Sequence, residues 1–230
     1  IPAFKIGSGD ITWREILIKI AKKNKPLILA TGASSFTDVY KAVKLLRRFN
    51  PKLILMQCNT NYTGEEKNFN YINLKVLNLY KKKFKDKIIL GLSDHTPGHT
   101  TVLGAVTLGA RVIEKHFTDS NDRNGPDHKF ALNPKDWKNM VLETRRLEKS
   151  LGDGFKIVEN NENKSFYVQR RGVYLNKKVK KGHILKNEDL VCLRPYVKNS
   201  ISPFEISNYL GKKIKKNLNK NSILNKKWIN

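Results

Sequence analysis

Two histidines, His95 and His116, stand at the ends of successive apolar runs in this sequence. Each run predicts a buried strand, so neighbouring side chains at the two strand ends can reach one centre. A pair of imidazoles with open positions suits Mn, Fe, Co or Zn better than Mg²⁺, whose preferred shell is all oxygen. Two ligands do not identify a metal, and a satisfied core pair explains the spacing equally well.

Polar side chains follow each of the other predicted strands as well. In a parallel α/β fold the loops at the carboxyl ends of the strands converge on one mouth. A single polar strand end is an ordinary turn or helix cap, whereas five in succession favour a binding or catalytic site. These residues are Ser8, Gly9 and Asp10; Thr31 and Gly32; Asn59, Thr60, Asn61 and Tyr62; Ser93, Asp94 and His95; and Glu114, Lys115 and His116.

The loop 124–128 follows the strand that leads to His116. Gly125 and Pro126 fix its shape, and Asp127 can accept hydrogen bonds from hydroxyl groups. A plain turn explains the same residues, but the position above the predicted mouth favours binding. The other histidines are His99 and His128, in adjacent loops and predicted either to support the site or to face solvent, and His183, predicted on the surface.

The elements that must position these residues are short apolar runs alternating with longer amphipathic segments. This alternation predicts βα units with a parallel sheet. The spacing fits a (β/α)₈ barrel that lacks three units or a smaller, open, doubly wound sheet, and it does not decide between them. The predicted strands are 3–7, 26–30, 53–58, 88–92 and 111–116, and the predicted helices are 13–23, 37–48, 72–83, 100–108 and 134–151.

The composition changes after the last of these helices. Residues 154–165 are polar and acidic, which is typical of a linker, and short strands with turns and one short helix follow from Arg170. We therefore predict three parts, namely the α/β domain 1–152, a linker 153–168 and a small second module 169–230. Within the module, the predicted strands are 173–175 and 191–193, and the predicted helix is 203–209.

The composition excludes several classes of protein. The 39% apolar content suffices for a packed core, and no run approaches the roughly 20 apolar residues of a membrane helix. With no secretion signal and no CxxC or Cys/His cluster around Cys58 and Cys192, we predict a cytoplasmic protein with reduced thiols. The net charge of +25 is spread among Asn and Ile, so a solvated surface is favoured over nucleic-acid binding.

Five ordered motifs resemble those of the N-acetylneuraminate synthase family, which includes sialic, legionaminic and pseudaminic acid synthases. They are Lys5-Ile6-Gly7-Ser8-Gly9-Asp10, Thr31-Gly32, Gly91-Leu92-Ser93-Asp94-His95-Thr96, Ile113-Glu114-Lys115-His116-Phe117-Thr118 and Gly125-Pro126-Asp127-His128. Landmarks similar to the family's antifreeze-like (SAF) domain are Arg170-Arg171, Lys180-Lys181-Gly182, Glu188-Asp189-Leu190, Leu193-Arg194-Pro195 and Leu210-Gly211-Lys212-Lys213.

The resemblance implies an α/β fold made of the last five βα units of a TIM (β/α)₈ barrel, followed by a small SAF (β-clip) domain. The strand predicted at 3–7 is similar to the fourth of the family's eight strands. We therefore expect the first three units, with a phosphate-binding lysine on the second strand, to be missing from this sequence. A truncated synthase is the expectation, and an inactive fragment that binds a sugar or a partner is the alternative.

The family's reaction is an aldol-like condensation of phosphoenolpyruvate with an open-chain N-acyl-hexosamine, such as N-acetylmannosamine or a 2,4-diacetamido-trideoxyhexose. C3 of phosphoenolpyruvate attacks the aldehyde, water enters at C2, and phosphate leaves by C–O cleavage. By resemblance, His95 and His116 hold a divalent ion that polarises the aldehyde oxygen. Mn²⁺ is the first expectation, with Mg²⁺ or Co²⁺ as alternatives.

The resemblance also implies roles for the other strand-end residues. Asp10 stands where a carboxylate shuttles protons, Asp127 where one binds the sugar's hydroxyls, and Arg194 where an arginine reaches the partner's active site in a domain-swapped homodimer. Lys5, Ser8 and Ser93 would bind phosphoenolpyruvate, and Thr60, Asn61 and Tyr62 would line the pocket. The sequence departs from the common pattern at Asp10 (Glu in some relatives), Ala30 (Ser), Gln57 (His) and Thr63 (Pro).

Overall fold

Parallel strands and helices alternate through the first part of the chain. The computed structural model describes residues 1–230, apart from the side chain of Asp86. The elements are β1 (Phe4–Ile6), α1 (Arg14–Ala21), β2 (Leu27–Ala30), α2 (Phe36–Leu46), β3 (Leu53–Cys58), α3 (Val76–Phe84), β4 (Ile89–Asp94), α4 (Thr100–Thr107), β5 (Val112–Lys115) and α5 (Pro134–Ser150). They belong to a compact unit, Ile1–Gly154.

The sheet order resolves the choice between the two predicted architectures. In the described part of the chain the parallel order is β1-β2-β3-β4-β5, so every strand lies beside its predecessor. A doubly wound sheet has a reversal in its strand order, and this sheet has none. The strands form a curled half-barrel, which confirms the expected partial TIM barrel.

Leucines on the central strands hold the sheet against the helices. Leu27, Leu29, Leu53 and Leu55 are almost fully buried in one core with the inward faces of the helices. Removing a leucine side chain from water contributes about 1.5–3 kcal/mol. This packing fixes the register of the strands. It therefore also fixes the positions of the residues at their carboxyl ends.

The helices begin at residues whose side chains cap them. Ser35 and Asp38 form a capping box at the start of α2. At α5 the Asn133 side chain accepts a hydrogen bond from the Asp136 amide, and Pro134 occupies the first turn, as predicted. No described helix, including the 17-residue α5, is long and apolar enough to cross a bilayer.

Two element boundaries differ from the prediction in ways that affect the site. β4 runs to Asp94 rather than ending at residue 92, so Ser93 belongs to the strand and pairs with β5. The helix predicted at 72–83 begins at Val76, because residues Glu66–Tyr71 form a 3-10 turn and Asn73 has a φ of 48°. A left-handed residue at that point ends any helical continuation.

The second unit, Phe155–Asn230, has its own core. It contains α6 (Asn163–Gln169) and an antiparallel pair, β6 (Gly172–Leu175) and β7 (Leu190–Leu193). The predicted short helix at 203–209 is a 3-10 turn, Pro203–Asn208. The core comprises Val173, Leu175, Val179, Leu185, Ile201, Ile214, Leu218, Leu224 and Ile229.

The segment predicted as a linker, 153–168, contains the beginning of a helix that was not predicted, α6. The helix carries Phe166 and Tyr167, and both rings pack on Tyr196, at centroid distances of 6.0 and 6.2 Å. Arg170 lies over the Phe166 ring, 3.9 Å from its centroid. These aromatic contacts stabilise helix α6. The polar composition of the preceding residues gave no indication of a helix.

Candidate active site at the carboxyl ends of the strands

Four aromatic rings meet at the ends of the last two strands and in the loops beside them. The ring centroids of His95 and His116 are 5.1 Å apart. Tyr62 lies 4.1 Å from His95 and 5.6 Å from His116, while Phe130 lies 5.1 Å from His116. The structure therefore brings together the two histidines that the sequence placed at consecutive strand ends.

The parallel register explains this proximity. Asp94 pairs with Lys115 across β4 and β5, and each is followed directly by one of the two histidines. Lys115 Nζ lies 2.6 Å from Asp94 Oδ2, with side-chain exposures of 1% and 0%. Asp94 also accepts a hydrogen bond of 2.6 Å from Thr101 Oγ1. This buried ion pair fixes the spacing between the two strand ends.

Burial lowers the pKa of Lys115, against the opposing effect of Asp94. The ammonium group also donates a 2.6 Å hydrogen bond to the carbonyl oxygen of Thr96. A buried charge without a partner is costly, and here the carboxylate and the carbonyl both offset that cost. We therefore interpret Asp94 and Lys115 as positioning residues for the histidines.

Hydrogen bonding determines which nitrogen of His95 is free. His95 Nδ1 lies 2.7 Å from the carbonyl oxygen of Asn59. A carbonyl oxygen only accepts, so Nδ1 carries the proton and Nε2 has a free lone pair. Burial lowers the pKa of His95, and the Asn59 hydrogen bond only partly opposes this effect. The ring is therefore neutral at pH 7, which a metal ligand requires.

Asp127 contacts one of the two histidines. Its Oδ2 lies 3.2 Å from His116 Nδ1, so the loop 124–128 closes over the strand end. Within the described side chains, no group of three or more His, Cys, Asp and Glu residues is arranged to hold a metal ion. Two imidazoles alone would leave the other positions of an ion open to substrate or water.

A second group of polar residues comes from β1, β4 and β5 and from the loops after β1 and β2. Glu114 Oε1 is 3.0 Å from Lys5 Nζ and accepts a 3.0 Å hydrogen bond from Ser93 Oγ. The Gly32 amide donates to Ser8 Oγ at 2.9 Å. Ser8 and Ser93 are therefore held by residues of neighbouring strands, whereas Lys5 on β1 is held by Glu114 from β5, at the other edge of the sheet. The sequence placed Glu114 at a strand end without a role, and only the Ser93–Glu114 register reveals it.

Gly32 allows these residues to approach one another. A Cβ at this position would lie 2.4 Å from Thr60 Cγ2, 3.0 Å from Ser8 Oγ and 3.2 Å from Cys58 Sγ. Burial raises the pKa of the Cys58 thiol, so this group stays protonated and apolar in character. The absence of a side chain at Gly32 is therefore a packing requirement of the site.

The remaining predicted site residues have different surroundings. Asp10 is exposed at the end of a 3-10 turn. Asn61 Oδ1 accepts hydrogen bonds from the Thr63 amide and hydroxyl, so its amide shapes the loop that carries Tyr62. Arg194 belongs to the second unit, where its Nε donates a 2.5 Å hydrogen bond to the Gln169 carbonyl oxygen.

Two of the other three histidines have structural partners. His128 Nδ1 lies 2.7 Å from Thr118 Oγ1, so it braces the loop rather than facing solvent. The prediction that His183 is a surface residue is incomplete, because its Nε2 lies 2.7 Å from Oδ2 of the fully buried Asp189. The side-chain amide of Gln57 donates to the Ile72 carbonyl oxygen, which fixes the neighbouring loop.

Two family models match the chain. The NeuB family model matches residues 1–156, and the SAF domain model matches residues 170–227. The N,N'-diacetyllegionaminic acid synthase of Campylobacter jejuni is 38% identical over 96% of this chain and 65% of that protein. A pseudaminic acid synthase of C. jejuni is 34% identical over 94% of this chain and 61% of that protein. The chain thus spans less than two thirds of either relative.

A solved structure has the same fold. The N-acetylneuraminic acid (sialic acid) synthetase of Leptospira borgpetersenii is 31% identical, with a TM-score of 0.64 over 72% of this chain and 56% of that one. The NeuB model covers well over half of the sequence, and its match coincides with the unit that carries the two histidines. The chain therefore belongs to the NeuB family and carries a SAF domain after its barrel segment.

Proposed function

We propose that this chain contributes the catalytic centre of a nonulosonic (sialic-type) acid synthase, which condenses phosphoenolpyruvate with an N-acyl-hexosamine and releases phosphate. The observation that carries the proposal is the pair His95 and His116, with ring centroids 5.1 Å apart. Membership of the NeuB family and two relatives named as such synthases support it. The product belongs to surface-glycan biosynthesis, and the cytoplasm is the proposed location.

The two histidines would hold a divalent ion, with Mn²⁺ as the first candidate and Mg²⁺ or Co²⁺ as alternatives. When bound, such an ion supplies the Lewis acidity that polarises the aldehyde oxygen of the acceptor sugar. The hydrogen bond from His95 Nδ1 to the Asn59 carbonyl leaves Nε2 available for this purpose. Asp127, beside His116, would bind hydroxyl groups of the same sugar.

The group around Glu114 would bind phosphoenolpyruvate. Lys5 supplies a positive charge, and Ser8 and Ser93 supply hydroxyl donors, which together suit a phosphate and a carboxylate. Glu114 holds Lys5 and Ser93 3.0 Å from one of its oxygens. Thr60, Asn61 and Tyr62 would line the pocket beside them, and the exposed Asp10 would carry protons.

The identity of the acceptor and the assembly are separate proposals. Two relatives with similar identity to this chain are named for legionaminic and pseudaminic acid, so identity alone does not choose between N-acetylmannosamine and a 2,4-diacetamido-trideoxyhexose. A domain-swapped homodimer, in which Arg194 completes the partner's site, is the proposed assembly. Its support is the exposed position of Arg194 in the SAF domain.

The test is release of phosphate from phosphoenolpyruvate. Because this chain spans 65% of the C. jejuni relative, we would assay it alone and fused to the segment that precedes the matched region in that relative. The assay would use Mn²⁺ and a panel of N-acylated hexosamines, with a metal-free control. Turnover that requires both metal and one sugar supports the proposal.

The alternative to an active synthase has its own signature in the same assay. A folded fusion that binds Mn²⁺ and a sugar without releasing phosphate would be a binding module derived from a synthase. Phosphate release that is independent of the sugar would instead be hydrolysis, and it would refute the condensation.

A further inference from the structure

A pocket of about 490 Å³ lies between the last turns of α2 and α3, on the helical layer of the first unit. Tyr40, Val43 and Phe84 supply its apolar wall. None of the described side chains that line it is acidic. The cationic residues of the wall, which we call the basic pocket residues, are Lys44, Arg47, Arg48, Lys83, Lys85 and Lys87.

The basic pocket lies away from the candidate active site. Helices α2 and α3 lead into the beginnings of β3 and β4, whereas the histidines stand at or near the carboxyl ends of the strands. The six residues of β3 span about 20 Å at the usual rise of a strand. The pocket and the proposed synthase centre are therefore at opposite ends of the barrel segment.

The basic pocket residues have no counter-charge among the side chains that the structure describes. None of them forms an ion pair or a side-chain hydrogen bond with another side chain that the structure describes. Elsewhere in the same unit arginines form ion pairs with carboxylates. Arg145 pairs with Glu148 and Arg146 pairs with Glu143, each at 2.6 Å. Arg47 is distinctive, because its Nε is buried and has no hydrogen-bond partner among the described groups. A buried donor without an acceptor is costly.

The helix ends explain part of this arrangement. Cations in the last turn of a helix interact favourably with its unpaired carbonyl groups, which accounts for Lys44 and Lys83. That effect falls off within one turn and does not require a common cavity. It does not explain Lys85 and Lys87, which lie beyond α3, or the unpaired Nε of Arg47.

We propose that the basic pocket binds a small, multiply charged, phosphate-bearing anion. The volume is in the range of small-molecule sites, and the arginine forks match the geometry of phosphate oxygens. Tyr40 and Phe84 stack with centroids 6.2 Å apart and an interplanar angle of 20°, forming an apolar wall for the organic part of such a ligand. A concave site favours a small ligand over a nucleic-acid duplex.

The test is titration calorimetry of the 230-residue chain with inorganic pyrophosphate, at low salt and at physiological salt. We expect the tightest pyrophosphate site on the wild-type chain to be the basic pocket. The double variant Arg47→Gln/Lys83→Gln removes two charge-assisted partners and should weaken binding by about tenfold or more. Circular dichroism would confirm that the variant is folded.

Two further variants separate the pocket from other cationic surfaces. Lys5→Gln removes the lysine of the proposed phosphoenolpyruvate site, and Lys212→Gln/Lys213→Gln makes an equal charge change in the SAF domain. Both should keep the tightest pyrophosphate site with the wild-type affinity. Loss of binding in either variant, equal binding by the Arg47→Gln/Lys83→Gln chain, or no binding at all would overturn the proposal. Duplex DNA that displaces pyrophosphate and binds more tightly would also overturn it, in favour of a nucleic-acid surface.

Discussion

Lys115 and Asp94 form a buried ion pair, with Nζ and Oδ2 2.6 Å apart, and each is followed directly in sequence by a histidine of the candidate metal site. The pair ties β4 to β5 at the point where the chain leaves the sheet. The site consequently depends on a charge pair inside the barrel wall as well as on the residues that face the mouth.

The ion pair predicts a large effect on stability. Asp94→Asn leaves the Lys115 ammonium buried without a counter-charge, and breaking a buried pair costs about 3–5 kcal/mol. We expect the free energy of unfolding, measured by urea denaturation, to fall by this order. The double variant Asp94→Asn/Lys115→Met removes both charges and should recover part of the loss. A single variant as stable as the wild type would show that the pair does not hold the strands.

Gly32 predicts a packing effect. A Cβ at Gly32 would lie 2.4 Å from Thr60 Cγ2 and 3.0 Å from Ser8 Oγ, so Gly32→Ala must displace side chains of the proposed phosphoenolpyruvate site. Overpacking of this kind costs about 1–3 kcal/mol. We expect lower stability in urea and, in the fused chain, a higher KM for phosphoenolpyruvate.

The control for Gly32 is Gly9, which also lies at a strand end. A Cβ at Gly9 would have no heavy atom within 4 Å, and its backbone is compatible with alanine. Gly9→Ala should therefore leave the free energy of unfolding unchanged. If the two substitutions have the same effect on stability and KM, the close approach at Gly32 is not a requirement.

Asp189 predicts acid sensitivity in the SAF domain. Burial opposes ionisation, but hydrogen bonds from Lys177 and His183 outweigh it and lower the pKa of Asp189 from 3.8 to about 2. A carboxyl group with a depressed pKa stabilises the fold above its unfolded pKa. That contribution, about 2 kcal/mol, is lost as the pH falls from 3.8 towards 2.

Amide hydrogen exchange on β6 measures this effect locally. Protection should fall between pH 4 and pH 2, after correction for the intrinsic exchange rate, and Asp189→Asn should lack most of that fall. Glu188→Gln changes an exposed neighbour with the same charge and serves as the control. An Asp189→Asn chain that keeps the wild-type pH profile would exclude this carboxylate as the source.

The sequence predicted the fold well because its signals were local. Strands buried on both faces read as apolar runs, and Asn133 with Pro134 marks the start of α5. The strand order could not be predicted from the sequence pattern, because the spacing of strands along the chain is the same in a barrel and in a doubly wound sheet. Helix α6 was missed, because its stability comes from Phe166 and Tyr167 packing on a residue distant in sequence, Tyr196.

The site was predictable in its members more than in its contacts. Their positions at predicted strand ends were enough to identify His95 and His116 as neighbours. The tautomer of His95, however, depends on the Asn59 carbonyl, which no side-chain pattern encodes. The role of Glu114 depends on the register between β4 and β5, and the partner of His183 depends on a turn in the SAF domain. These are tertiary relationships, and single-sequence periodicity carries no information about them.

Binding of Mn²⁺ to the 230-residue chain at pH 7, followed by electron paramagnetic resonance, tests the central claim most directly. We predict one bound ion for the wild-type chain and no tight binding for His95→Ala or His116→Ala with the fold retained. His128→Ala removes a histidine that braces the nearby loop through Thr118, and it should still bind one ion. Binding that survives both His95→Ala and His116→Ala, or that is lost only in His128→Ala, would contradict the account.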